Sequence, residues 1–289
     1  MSQGFWRSLV LCISLAFCGC GNPPQAAKES TQNPVPKSAD TFEGSATGGL
    51  KGVVHWEGKI PIVDQFHTRP NILAGPVLQQ KQVRANPNQP RIDPATGALA
   101  GAVVYLEGVD PLRAKPWNHG PITVEQRDYQ FHIMQDQKSA NIGFVHVGDD
   151  ISLVSRDPRL HMLHASGVAF FSLAFPDPDM PLERRLNEKG LVELTSGCGY
   201  YWMRAYLFVS DHPYWARSDE QGAFQLDEVA PGDYQVVCWL PNWKEARHER
   251  EPESGNVFRL FFQPPIQISK PVHVQRGLSQ QVDFAIAAP

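Results

Sequence analysis

The sequence predicts an all-β protein built from sandwiches, and three observations carry that expectation. Proline (25 residues) and glycine (23) recur along the 289-residue chain and interrupt any long helix. Apolar runs are short and end at Gly, Pro, Asp or Asn, as strands end at turns. Within those runs, apolar side chains either alternate with polar ones or follow one another, the patterns of half-buried and fully buried strands.

The chain opens with an address. Arg7 precedes an apolar run from Leu9 to Phe17, too short to span a bilayer and suited to a signal-peptide core within residues 1–20. Cys18-Gly19-Cys20-Gly21-Asn22 resembles the lipobox of bacterial lipoproteins, with Cys20 the better fit for acylation and Cys18 the alternative. Residues 21–48, rich in Pro, Ser, Thr, Gln and Ala, have few large apolar side chains to bury and read as a disordered linker. The expectation is an exported, membrane-anchored protein facing the periplasm or the outside. Cys12, Cys18 and Cys20 belong to the leader, which leaves Cys198 and Cys238 in the folded part, either paired or as two free thiols.

Leu50–Trp56 reads as a first strand, and the proline-studded stretch 61–97 as a long surface loop. Ala102–Leu106 reads as a strand buried on both faces. Ile122–Glu125, Gln130–Met134, Phe144–Val147 and Ile151–Val154 follow as further strands. In the second half, strands are expected at Leu191–Leu194, Met203–Val209, Ala223–Leu226, Tyr234–Trp239, Arg259–Phe262 and Val282–Ile286. The charged stretch Lys244–Ser254 reads as a helical turn or a solvated loop. The implied partition is 49–98 (an N-terminal strand and long loop), 99–210 and 211–289.

The chemistry concentrates in two places. Val147–Ala165 ends in a loop presenting His161, Met162 and His164, and Cys198-Gly199-Tyr200-Tyr201-Trp202-Met203 supplies a thiol and a thioether. Copper electron-transfer centres use two imidazoles, a thiolate and a distant thioether, so His161, His164, Cys198 and Met203 form the candidate metal set. His132 is a further imidazole within the same half.

Here the residues resemble a family, the exported methylamine-utilisation, plastocyanin-like (cupredoxin-like) proteins found beside a carboxypeptidase regulatory-like domain. Val147-Gly148-Asp149-Asp150-Ile151 through Asp157 to His161 matches the stretch carrying the first copper histidine. Trp202-Met203-Arg204-Ala205-Tyr206 matches the later C-x-x-H-x-W-M-R-x-Y stretch. In that register the family's cysteine falls on Gly197 and its second histidine on Tyr200, with Cys198 one residue late. The resemblance therefore implies a cupredoxin-like Greek-key β-sandwich with a degenerate ligand set, holding copper or no cofactor.

Ala216–Trp239 carries D-x-x-G-x-F-x-L-x-x-V-x-P-G-x-Y-x-V, in which Asp219–Gly222 and Pro231-Gly232 are turns and Phe224 and Leu226 share a face. This closely resembles the transthyretin-like, carboxypeptidase regulatory-like β-sandwich. Leu50–Pro61 resembles the opening of such domains, which implies a sandwich built from both chain ends around an inserted cupredoxin-like unit.

The functional expectation is a binding or scaffold role. Motifs for a P-loop, a dinucleotide fold, a serine nucleophile elbow or a zinc protease do not occur, and the paired acids Asp149-Asp150 and Asp177/Asp179 read as turn formers. No catalytic role is expected. A formal charge of −4 argues against nucleic acid. Tyr200, Tyr201, Trp202, Tyr214 and Trp215 form the candidate aromatic surface for an envelope protein or a glycan. The alternative expectation is a periplasmic copper-binding or electron-transfer protein.

Overall fold

A computed structural model describes residues 41–68 and 82–288. The leader, Cys18, Cys20 and most of the linker lie outside the described residues, as does the middle of the 61–97 loop. No α-helix occurs among the described residues; strands and two short 3-10 turns account for the regular structure.

The first sandwich joins the two ends of the described chain. Gly48–Glu57 runs antiparallel to Ala223–Val229 and parallel to the C-terminal strands Ser279–Gln281 and Phe284–Ala287. The facing sheet has the order Trp215–Arg217, Val103–Glu107, Gly232–Leu240, Ile266–Val274. Leu50, Val54, Leu106, Val236 and Phe284 fill the space between, all at most 1% exposed. Gly52 shows how closely the ends approach, because a Cβ there would lie 1.8 Å from the Val282 carbonyl oxygen. The Asp219–Gly222 turn forms as the sequence predicts, with the Gly222 N–H donating to Asp219 O and Asp219 Oδ1 accepting from the Gln221 and Ala223 amides.

The second sandwich has two five-stranded sheets. One runs in the order Ile142–His146, Arg204–Ser210, Gly190–Ser196, His161–Gly167, Phe171–Phe175; the other Leu182–Arg185, Asp150–Ser155, Thr123–Arg127, Gln130–Gln135, Lys138–Ala140. Val124, Ile133, Leu153, Leu163 and Leu194 form its core. Every residue of Arg204–Ser210 is buried, which its position explains. One face looks into this core, while on the other Tyr206 and Phe208 pack with Val103, Phe144 and Trp239 into a third cluster. A strand covered on both sides has no reason to alternate.

Two expectations are corrected. Glu245–Arg250 is neither a helical turn nor a loop but a strand paired with Val257–Phe262. Cross-strand contacts hold it, the Arg247 guanidinium lying 3.6 Å from the centre of the Phe261 ring. The segment carrying His161 and His164 is likewise no loop but the strand His161–Gly167.

Candidate functional site

That second correction decides the geometry of the expected metal set. Successive side chains of a strand point to opposite faces, so residues three apart diverge. His161 is fully buried, whereas His164 sits on the other face and hydrogen-bonds through Nδ1 to Ser172 Oγ at 2.6 Å. His161 Nε2–H donates to Asp157 Oδ2 at 2.9 Å, and Asp157 also accepts from the Asp128 and Tyr129 amides. The rings of Tyr129 and Tyr200 flank the imidazole at 5.7 and 5.5 Å, and Nδ1 is buried without a hydrogen-bond partner. Burial outweighs the Asp157 charge and moves the His161 pKa down, which favours the neutral ring.

The other members of the set are placed differently. The Cys198 thiol points to Leu160 O at 3.8 Å and is pushed up in pKa by burial, the reverse of what thiolate ligation needs. Met203 is core, 1% exposed. His132 pairs with Ser139 Oγ at 3.3 Å on the opposite sheet. Among the described residues no three His, Cys, Asp or Glu side chains gather closely enough to hold a metal ion. Cys198 and Cys238 are both free: Cys198 packs on the second core, and Cys238 is buried in the first with its thiol pushed up to about 12.

The aromatic set also divides. Tyr214 is 1% exposed in the first core, its hydroxyl donating to Glu228 O at 2.8 Å. Tyr200 is buried, and Tyr201 packs edge-on against Trp202 and Phe66. Trp202, 6% exposed, and the half-buried Trp215 both line a cleft of about 1180 Å³ whose walls come from both sandwiches.

The cleft is stiffly built. Its rim 84–92 is tied to the first sandwich by Asn86, which donates to Trp243 O, and by Asn88, which donates to Asn242 O and, on the second sandwich, to the Tyr206 hydroxyl, each at 2.9 Å. Gln135 donates to Gly120 O and Phe144 O and accepts the Phe144 N–H, so its amide is fully used. Trp215 stacks on Tyr105 with centroids 4.2 Å apart and an interplanar angle of 9°. Arg204 pairs with Glu193 and donates to Leu260 O, while Arg91 pairs with Glu220 at 2.9 Å. Arg217 donates from Nη1 to Ile142 O at 3.0 Å and lies over Phe144. Sequence reasoning did not single out Arg91, Arg204 or Arg217 as cleft residues. The available signal was a lone cation in an otherwise apolar stretch, Arg204 in WMRAYLFV and Arg217 in YWARS.

Comparison with known proteins gives partial matches. Residues 184–250 match the family model described as polysaccharide lyase family 4, domain II. No curated protein matches the chain. Among solved structures, a reduced proline variant of amicyanin is 20% identical, covering 32% of this chain and 83% of its own, with a TM-score of 0.25. Another amicyanin variant, in the oxidised state, is 17% identical over 37% of this chain and 98% of its own, also at 0.25. A copper-containing nitrite reductase from Thermus scotoductus is 14% identical over 36% of this chain and 25% of its own, at 0.26.

Proposed function

We propose that this chain is a non-catalytic binding module of the bacterial cell envelope, exported and held at the membrane through acylated Cys20 or Cys18, with a glycan chain as the ligand of its cleft. The cleft carries this reading. At about 1180 Å³ it exceeds the usual range for one small molecule and suits several linked sugar units. Its lining mixes ring edges with planar polar groups, the composition that hydroxyl-rich ligands need. Groups with catalytic potential are engaged elsewhere: His119 Nε2–H donates to Pro213 O at 2.9 Å, and Asp219 is spent on its own turn. The stretch that resembles a polysaccharide lyase domain supplies Trp202, Arg204, Trp215 and Arg217 to the lining. The test is affinity electrophoresis of the full chain through gels containing plant, algal and bacterial polysaccharides. Retardation by at least one is expected; uniform mobility in all of them overturns the reading.

One observation favours a second reading, a copper-binding protein. An imidazole with one nitrogen held by a carboxylate and the other free, as in His161, is the arrangement that metal-binding histidines use. The neighbouring donors do not complete a shell, since Tyr200 replaces an imidazole, Cys198 is held protonated by burial and His164 faces away. Equilibrium dialysis against Cu(I), repeated on His161→Ala, separates the readings: stoichiometric binding lost in the variant would establish the copper protein.

A further inference from the structure

We infer that the cleft selects an acidic saccharide, a chain bearing carboxylates, and that Arg217 is the residue that anchors one of them. This rests on the glycan reading above and narrows it.

The first argument is local. Arg217 sits on the edge strand Trp215–Arg217 and is half-buried, so its charge has lost part of its water. The protein gives little back. One N–H donates to Ile142 O, the ring of Phe144 lies 5.9 Å from the guanidinium carbon, and among the described residues no carboxylate comes within ion-pair distance. Two other cleft arginines differ: Arg91 has Glu220, and Arg204 has Glu193. The charges that reach Arg217 are those of Asp136, which is already hydrogen-bonded to the Gly120 amide, and Arg91, of its own sign. A guanidinium in that setting retains open N–H groups in a fork that fits two carboxylate oxygens. An incoming carboxylate would also find the site set in advance, because the backbone bond to Ile142 and the neighbouring Trp215–Tyr105 stack limit how Arg217 can turn.

The second argument is the contrast between cleft and chain. Overall the protein carries a formal charge of −4, yet the lining holds Arg84, Arg91, Lys138, Arg204 and Arg217 against three carboxylates, Asp136, Asp219 and Glu220. Positive charge concentrated in a concave surface of an acidic protein attracts an anion locally while the rest of the surface repels it. Three of these cations lie over different aromatic groups. Arg84 lies over the rings of Tyr129 and Trp202, Arg204 over Phe262, and Arg217 over Phe144. Separated single cations match a ligand with one charge on each of several units, as in a uronate chain, better than a single densely charged group.

The experiment is calorimetric titration of the full chain with three probes: an oligo-uronate, the same oligosaccharide after reduction of its carboxyl groups to alcohols, and single-stranded oligo-dT of comparable length. Binding of the oligo-uronate at least tenfold tighter than its reduced form is expected, with Arg217→Gln removing most of that preference and Arg217→Lys restoring part of it. The affinity of the reduced form falls by a smaller factor than that of the oligo-uronate in both variants. Lys138→Gln, at an exposed position where folding is not at stake, should weaken the uronate by a smaller factor. Equal affinity for acidic and reduced chains would overturn the inference and leave glycan binding standing. No binding of either would remove both readings. A uronate preference unchanged by Arg217→Gln would remove Arg217 as the anchor, and oligo-dT binding as tightly as the uronate would replace the saccharide with nucleic acid.

Discussion

The core around Leu50, Val104 and Phe284 is built from aliphatic and aromatic side chains with the Cys238 thiol among them, and Ser218 at its margin is bonded on both sides, to Ala102 N–H and Leu99 O. The second sandwich, of similar size and the same all-β construction, buries Gln126, Gln135, Ser155, His161 and Arg204 as well. Both Gln126 amide atoms, His161 Nδ1 and Arg204 Nε lack a partner there. Buried polar groups cost stability unless satisfied, so the two halves are built to different standards. The first closes the chain; the second, together with the strip of Trp215–Arg217, holds the groups with chemical potential.

Mutations and pH test that contrast. The largest effect is expected from Phe284→Ala, which empties the middle of the apolar core and should cost about 3–5 kcal/mol in a denaturant titration. A loss below 1 kcal/mol would mean that the C-terminal strand does not seal the first sandwich. Acid comes next. Burial pushes His212 from 6.5 down to about 4, so the folded form prefers the neutral ring. Its contribution is complete above pH 6.5 and is lost as the pH falls toward 4, amounting to about 3 kcal/mol. His119 and His161, also shifted down by burial, add to it with the same sign. Melting curves between pH 7.5 and 4 should show a falling midpoint, much of it removed by His212→Asn; a flat profile would contradict the placement of these rings.

Gln126→Leu tests the second core from the other direction. Replacing a fully buried, unpartnered amide by an apolar side chain of similar size should raise stability by about 1–3 kcal/mol. Destabilisation would show that the amide is satisfied in solution. The smallest effect is chemical. A thiol reagent should modify the half-exposed Cys198 slowly in the native protein and reach Cys238 only in denaturant. Two thiols titrating at equal rates in the native state would mean that the first core opens as readily as the second.

Strands were readable from the sequence because a sheet with one wet face writes its period into the chain. Gln130–Gln135 and Ala223–Val229 fall close to where alternation and turn residues put them. Lys244–Ser254 was not readable, because what makes it a strand is the partner Val257–Phe262 and not its own charged residues. The candidate site was legible only as a collection of residue types. His161 and His164 look adjacent in sequence, yet the strand sends them to opposite faces, and that distinction appears only once the segment is known to be extended. Arg217 left still less trace, since an unpaired cation is defined by the carboxylates that are not near it. Its environment comes from Ile142 and Phe144, far away along the chain.

The parallel pairing of Val54 with Phe284 has a bearing on how the protein is made. A ribosome delivers Gly48–Glu57 more than two hundred residues before Phe284–Ala287, so that strand waits for them before its sheet is complete. The segment between can collapse on local pairings meanwhile, as neighbouring hairpins do. Premature termination a few codons short of Phe284 therefore leaves a finished middle and an open edge, the kind of surface that recruits chaperones and proteases.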